Sequence, residues 1–146
     1  MPLRLLLGEG PEEMLSLAFS QLSPDQVFLA GTRDLDPAEE RYIADHDLTL
    51  LPPAELADPE ALIAAIRARG YTDIYLHLDL DILDPDDFPH LLIPVPGGVP
   101  LPHLLSLLEH LTESFTVPGA SLVEYVPREG IEPAGLDRIL DLLVRA

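Results

Sequence analysis

Short apolar segments alternate with capped helices along the chain, and this alternation constrains the fold more than any other feature of the sequence. The predicted strands lie at 26–30, 48–51, 73–79 and 120–125. The predicted helices lie at 11–20, from Asp36 onward, and at 58–70, 100–112 and 132–144. Near-continuous apolar strands are typical of parallel sheets. Repeated strand–helix units therefore predict an α/β fold, with about four parallel strands covered by helices on both faces.

Composition limits the size and the partners of this fold. The chain has 146 residues, which fits one domain with a real core, so we expect a single α/β domain over 1–146. Eight Lys and Arg residues against 26 Asp and Glu residues give a net charge of -18, which repels phosphate backbones and anionic membranes. We therefore expect no nucleic-acid partner and no membrane partner.

Two further observations concern the metal chemistry and the location of the protein. Since the chain has no Cys, any metal ion must bind to oxygen and nitrogen ligands. The first residues lack the apolar core of a secretion signal, and no segment reaches the roughly 18 to 20 apolar residues of a membrane span. We expect a cytoplasmic protein.

Acidic and imidazole side chains recur in the apolar segment 75–85, YLHLDLDILDP. Alternate residues of a strand share a face, so Tyr75, His77, Asp79 and Asp81 are predicted to point the same way. Two carboxylates at the end of a buried strand repel each other unless a cation or a proton intervenes, and hard divalent ions prefer oxygen ligands. One interpretation is a metal site on Asp79 and Asp81, with His77 as a candidate third ligand.

Structural roles also account for these residues. An Asp before a turn often caps the strand end and binds loop amides, and a strand histidine is commonly a core group that is hydrogen-bonded to a neighbour. An EF-hand is excluded, because Asp84 and His90 stand where that loop requires Gly and Glu. The spacing leaves the metal and structural interpretations open. The irregular segment 85–102 follows directly, and loops after strand ends carry ligands in open α/β sheets.

A longer pattern, HLDLDILDPDDFPHLLIPVPGG, runs over 77–98. It resembles a signature of the ureohydrolases, the family of arginase, agmatinase and formiminoglutamase, whose pattern is S-x-D-x-D-x-x-D-P followed by P-G-T-G-T-P-x-P-G-G. The residues that fall on this pattern without an insertion are Asp79, Asp81, Asp84, Pro85, Pro89, Pro94, Pro96, Gly97 and Gly98. GTRDLDP at 31–37 resembles the family's G-x-R-D-x-D-P turn, and VEYVP at 123–127 resembles its E-x-N-P segment.

The resemblance implies a fold, an activity and a set of site residues. The fold is the C-terminal half of the arginase-like three-layer α/β/α arrangement, and the activity is manganese-dependent hydrolysis of a guanidino or amidino C–N bond. Asp79 and Asp81 would bind a two-manganese centre, with Asp79 bridging. Asp36 would lie near the far end of the substrate, and Glu124 would pair with the guanidinium. Paired metals generate hydroxide near neutral pH, and a carboxylate orients a guanidinium for attack.

The sequence departs from the family pattern in several places, among them Val126 in place of Asn and His77 in place of Ser. The G-G-D-H and D-x-H-x-D motifs, which supply the family's other metal ligands, do not occur in it, and HLLI at 90–93 replaces the flexible G-T-G-T. Because two Asp residues cannot hold two manganese ions, we expect this chain to be inactive or incomplete alone, as a truncated product, a piece of a split protein or a free-standing half.

The same departures support an alternative, which is a non-catalytic half-domain that serves as a binding or assembly subunit. A half-sheet exposes an edge and apolar surface, which favours association. We therefore expect a homodimer, or a partner that supplies the missing half. In an active form the ligand would be a guanidino small molecule.

Overall fold

Helices and strands alternate in the computed structural model, which describes residues 2–17 and 20–145. The helices in this part of the chain are α1 Pro2–Leu6, α2 Glu12–Leu15, α3 Pro37–Asp45, α4 Pro59–Ala68, α5 Leu101–Ser114 and α6 Leu136–Arg145. The strands are β1 Phe28–Ala30, β2 Thr49–Leu51, β3 Asp73–Asp79 and β4 Thr116–Val123. Short 3-10 turns occupy Pro24–Gln26, Pro53–Ala57 and Leu80–Ile82.

The predicted alternation is present, and the strand at 73–79 is confirmed with its predicted bounds. The predicted bounds of the last strand are wrong, because β4 begins at Thr116 and includes Pro118, although proline usually marks a strand end. The last helix begins at Leu136 rather than at 132, because Pro133 and Gly135, with φ at 84°, shape a turn before it. The predicted bounds of the helix at 11–20 are wrong, because α2 ends at Leu15; Ala18 and Phe19, which this prediction included, lie outside the described residues.

Asp and Pro residues set the helix starts in the predicted manner. The Asp36 carboxylate accepts hydrogen bonds from the backbone N–H groups of Ala38 at 2.7 Å and Glu39 at 2.9 Å. The Glu39 carboxylate accepts the Asp36 N–H in return, which completes a capping box. Asp58 accepts the Glu60 N–H at the start of α4. Caps of this kind stabilise a protein by about 1 kcal/mol each.

The chain divides into two compact units. The first comprises 1–29 and 35–50, with α1, α2 and α3, and the second comprises 30–34 and 51–146, with α4 to α6, β3 and β4. The division crosses β1 and β2, which pair in a two-stranded sheet. The single domain over 1–146 stays a prediction. None of the helices in the described ranges has the length and apolar character that a membrane span requires.

In the first unit, a polar cluster connects α1 and the residues just after it with the C-terminal end of α3. Its members are Arg4, Glu9, Tyr42 and His46. The Glu9 carboxylate accepts hydrogen bonds from Arg4 and from the Tyr42 hydroxyl, the latter at 2.9 Å. The Arg4 guanidinium lies 4.6 Å from the centre of the Tyr42 ring, on which His46 stacks at 4.0 Å. Arg4 first and Tyr42 second hold the pKa of Glu9 below its ordinary value.

In the second unit, β3 and β4 run parallel and α5 lies in the crossover between them. Leu78 of β3 is buried. The fully buried side chains of this unit come from α4, α5, α6 and the turns, and they include Leu56, Ile63, Leu80, Leu83, Phe88, Leu91, Val99, Leu104 and Ile139. This core holds the C-terminal end of β3, where the acidic residues lie.

The opposite side of the same two strands is exposed. Tyr75 is 65% exposed and lies against Gly119, where an added Cβ would come within 3.2 Å of the ring. His77 is exposed too, and its Nδ1 lies 2.7 Å from the Ser121 hydroxyl oxygen. We call the surface of Tyr75, His77, Gly119 and Ser121 the open face. One side of this sheet therefore packs on the core and the other meets solvent.

Candidate metal centre

The two aspartates predicted as metal ligands lie together at the C-terminal end of β3. Asp79 is the last residue of the strand, and its Oδ1 accepts the backbone N–H of Asp81 at 2.9 Å. The prediction that strand alternation continues to Asp81 is wrong, because the chain turns into a 3-10 helix at Leu80. This turn, rather than the strand pleat, places Asp81 beside Asp79. The capping role proposed for Asp79 is thus observed.

The Asp81 carboxylate has one satisfied oxygen and one unsatisfied oxygen. Its Oδ2 accepts the backbone N–H of Ile93 at 3.1 Å, whereas its Oδ1 is buried and has no hydrogen-bond partner among the described residues. Burial raises the pKa of Asp81 above its ordinary value, the Ile93 N–H opposes this rise, and the negative charge of Asp79 adds to it. A buried acceptor without a donor is costly, and a cation would relieve both the missing partner and the repulsion.

The residues present fit part of a manganese centre and not a complete one. In the described part of the chain, no three His, Asp or Glu side chains are grouped so that they could hold a metal ion. The three-residue site on His77, Asp79 and Asp81 is therefore not formed. His77 instead bonds to Ser121 on the open face, so the predicted hydrogen bond to a neighbour is confirmed and the predicted location in the core is wrong. Asp79 and Asp81 offer hard oxygen ligands of the type that manganese accepts.

Asp84 connects the acidic segment after β3 to the two glycines at 97–98. Its Oδ2 accepts the N–H groups of Gly97 at 2.9 Å and Gly98 at 3.1 Å, and its Oδ1 accepts that of Asp86. These bonds, with Asp86 the largest contribution, lower the pKa of Asp84. A Cβ on Gly98 would lie 2.5 Å from the Leu83 carbonyl. Asp84 therefore has a structural role, in which it closes the loop that follows β3.

Glu124 follows β4 at the same edge of the sheet, since Asp79 pairs with the preceding residue, Val123. The Glu124 backbone is left-handed, with φ at 64°, which costs a non-glycine residue about 1 kcal/mol. Strained residues of this kind cluster at functional sites. The structure thus brings Asp79, Asp81 and Glu124 to one edge.

The loop that replaces G-T-G-T is ordered by its first two residues. His90 is 1% exposed, and its Nδ1 accepts the backbone N–H of Arg128 at 2.9 Å. Leu91 is buried and pairs with Tyr125 in an isolated bridge, and the Arg128 guanidinium donates to the Leu91 carbonyl. Leu92 and Ile93 are exposed. The apolar replacement therefore anchors the loop at 90–91 and leaves two aliphatic side chains at the edge that carries Asp81.

Asp36 and Arg33 both belong to the turn pattern at 31–37. Asp36 belongs to the first unit, and its carboxylate is used as the cap of α3. Arg33 belongs to the second unit and donates to the backbone carbonyl of Asp81 at 2.8 Å. The sequence alone predicts no role for Arg33. Its place in the turn pattern at 31–37 is a signal that Arg33 matters. Its hydrogen-bond acceptors are backbone carbonyls, however, and the sequence does not identify these.

Comparisons with known proteins agree on the group to which the chain is similar. The sequence profile of the arginase family matches residues 12–134. The chain is 36% identical over 133 residues to an arginase of Staphylococcus aureus (strain MRSA252), covering 87% of this chain and 44% of that protein. It is 32% identical over 136 residues to the arginase of Bacillus caldovelox, covering 87% of this chain and 45% of that protein.

Solved structures extend the similarity to the fold. The arginase of Entamoeba histolytica, solved with L-ornithine, superposes with a TM-score of 0.85 at 25% identity, covering 97% of this chain and 50% of that one. An arginase from Bacillus subtilis gives a TM-score of 0.85 at 27% identity, covering 97% and 53%. The predicted arginase-like α/β fold is confirmed. The chain spans about half the length of the relatives that it matches.

Proposed function

Because this chain belongs to the arginase family, we propose that it carries one part of a manganese site for the hydrolysis of a guanidino or amidino C–N bond, and that it is inactive without ligands from elsewhere. The observation that carries the proposal is the buried, unpartnered Oδ1 of Asp81 beside the carboxylate of Asp79. Manganese ions, when bound, supply the Lewis acidity that makes water a nucleophile near neutral pH.

The roles proposed for the chain's own residues follow from their positions. Asp79 and Asp81 would hold the metal, and Asp84 keeps the following loop closed beside them. Glu124, at the same edge, would orient a guanidinium through paired charge-assisted hydrogen bonds. No hydrolytic step is assigned to these residues alone, since two carboxylates do not complete the centre.

The missing ligands would come from a partner polypeptide or from further chain, and the open face supports such an association. Tyr75 and His77 stand on a sheet surface that no helix of the described residues covers. In a three-layer fold such a surface is normally buried. Asp36 is proposed as a substrate contact only for the complete assembly, in which its capping role would persist.

Titration of the metal-free protein with Mn²⁺ in a calorimeter tests the proposal. We expect micromolar or tighter binding by the native chain, and loss of that binding in Asp79→Asn and Asp81→Asn. Asp86→Asn serves as the matched control, because Asp86 is an exposed aspartate in the same loop. Millimolar affinity, or equal affinity in all three variants, would contradict the metal role.

Substrate assays follow if Mn²⁺ binds. Since the Entamoeba histolytica relative was solved with L-ornithine, amino acids with a side-chain amine or guanidine are the first ligands to test. Agmatine and formiminoglutamate test the other members of the family. We expect no product from the chain alone, and we expect Glu124→Gln to weaken binding of the guanidino ligand.

The second candidate function is non-catalytic, and the same open face favours it. In this proposal the chain binds a second polypeptide through the surface of Tyr75 and His77 and donates no ligand to a metal. Sedimentation at micromolar concentration distinguishes a monomer from a dimer. A monomer that binds Mn²⁺ tightly would contradict the assembly role, whereas a dimer that Tyr75→Asp disrupts and that binds no Mn²⁺ would support it.

A further inference from the structure

The guanidinium of Arg33 lies between the two ends of the segment 81–96. At the first end it donates to the carbonyl of Asp81 at 2.8 Å and to that of Leu83 at 3.3 Å. At the far end it donates to the carbonyl of Val95, from Nε at 3.2 Å and also from Nη2, and more weakly to that of Pro96 at 3.4 Å. All of these acceptors are backbone oxygens. Arg33 therefore fastens one part of the backbone to another.

The short stretch that this arrangement fixes contains a donor to the candidate metal ligand. Leu91 is held by its bridge to Tyr125, and Val95 is held by Arg33. Ile93 lies midway between these two anchors, and its N–H donates to Oδ2 of Asp81. The side chain of Ile93 is 58% exposed, so burial does not hold it in place. The position of its N–H is thus set by the anchors on either side.

From these contacts we infer that Arg33 is a positioning residue for the Asp81 carboxylate. Arg33 acts directly through the carbonyl of Asp81 and indirectly through Val95 and the N–H of Ile93. The planar guanidinium presents five donors in a fixed fork, which suits several carbonyls at once, whereas a lysine ammonium acts as a single point charge. The relation of Arg33 to metal affinity rests on the proposed function, while its effect on Ile93 does not.

Hydrogen exchange of the metal-free protein tests the positioning directly. We expect Arg33→Gln and Arg33→Lys to increase amide exchange at Ile93 by on the order of tenfold, because partial opening of this stretch becomes less costly. Arg138→Gln is the matched control, since Arg138 makes an exposed ion pair with Glu109. Circular dichroism establishes that each variant is folded, and Arg33→Lys, which keeps the charge, serves if the Gln variant does not fold.

The Mn²⁺ titration supplies a result that a general loss of stability would not produce. Loss of a group that orients a metal ligand typically lowers affinity by about 10 to 100-fold, so we expect a fall of this size in both Arg33 variants and none in Arg138→Gln. Full affinity in Arg33→Lys would overturn the inference, and so would unchanged exchange at Ile93. If the native chain binds no Mn²⁺, the proposed function fails, and exchange at Ile93 still decides whether Arg33 positions this segment.

Discussion

Removal of the negative charge of Asp81 should stabilise the metal-free chain. Asp81→Asn keeps an oxygen that can accept the Ile93 N–H, and it removes both the buried charge and the repulsion from Asp79. An unsatisfied buried polar atom costs about 1–3 kcal/mol. The new amide nitrogen takes the place of the unpartnered oxygen and lacks a fixed partner too, so this cost remains; because the penalty is larger for a charged group than for a neutral one, we expect removal of the charge to give a gain of about 1 kcal/mol at pH 7.

The pH dependence gives the same prediction a second check. The pKa of Asp81 is raised in the folded chain, so the folded state holds this proton more tightly than the unfolded state does. The resulting stability is fully present below the ordinary value of 3.8 and is lost as the pH rises through the raised value. The advantage of Asp81→Asn should therefore be largest at pH 7 and should shrink toward pH 4.

Urea unfolding in EDTA between pH 4 and pH 7, with Asp86→Asn as the comparison, measures both effects. With Mn²⁺ at 100 times its dissociation constant, binding should add about 2.7 kcal/mol to the native chain and nothing to Asp81→Asn, which reverses their order. A variant that is less stable than the native chain in EDTA at pH 7 would refute the reasoning, as would a difference that stays constant across this pH range.

Further substitutions test three separate features of the structure. The pKa of Glu9 is lowered, so the contribution of this carboxylate to stability is present above pH 4.5 and is lost as the pH falls. In urea unfolding from pH 6 to pH 3, the free energy of unfolding should therefore fall less in Glu9→Gln than in the native chain. Gly98→Ala places a Cβ 2.5 Å from backbone atoms and should destabilise the protein by about 2 kcal/mol or more in urea unfolding. Gly97 faces open space, so Gly97→Ala should cost only about 1 kcal/mol, which is the cost of a left-handed backbone with φ at 80°. Glu124→Gly should be more stable to urea than Glu124→Ala by up to about 1 kcal/mol, because glycine relieves the left-handed backbone; equal stabilities would contradict the strain.

The sequence predicted most of the secondary structure, because local chemistry determines it. Asp36 and Asp58 precede Pro and acidic residues, and both cap helices as predicted. The strand at 73–79 combines an apolar run with a preceding Gly70, which ends α4 with φ at 80°. Such signals operate over a few residues, so the sequence reveals them.

Features that depend on distant parts of the chain could not be predicted. Pro118 suggests a strand end, yet β4 continues through it, because the pairing with β3 shifts register between Thr116 and Gly119 and such an irregularity tolerates a proline. Asp81 was assigned by strand alternation, whereas its position comes from the turn at Leu80 and from Ile93, twelve residues later. Arg33 bonds only to backbone carbonyls, which any sequence would offer. The two aspartates were thus recognisable as candidates, and their surroundings were not.

The crossover between β3 and β4 also bears on how fast this edge of the sheet can form. Parallel pairing requires the whole segment from Leu80 to Phe115, including α5, to close before Asp79 meets Val123. Closure of a long loop costs entropy before any strand contact compensates for it, and folding dominated by such contacts is slow. We therefore expect the pairing that brings Glu124 to the edge of Asp79 to form more slowly than local contacts such as the helix caps, whereas Asp79 and Asp81 are joined by a local turn and need no such closure.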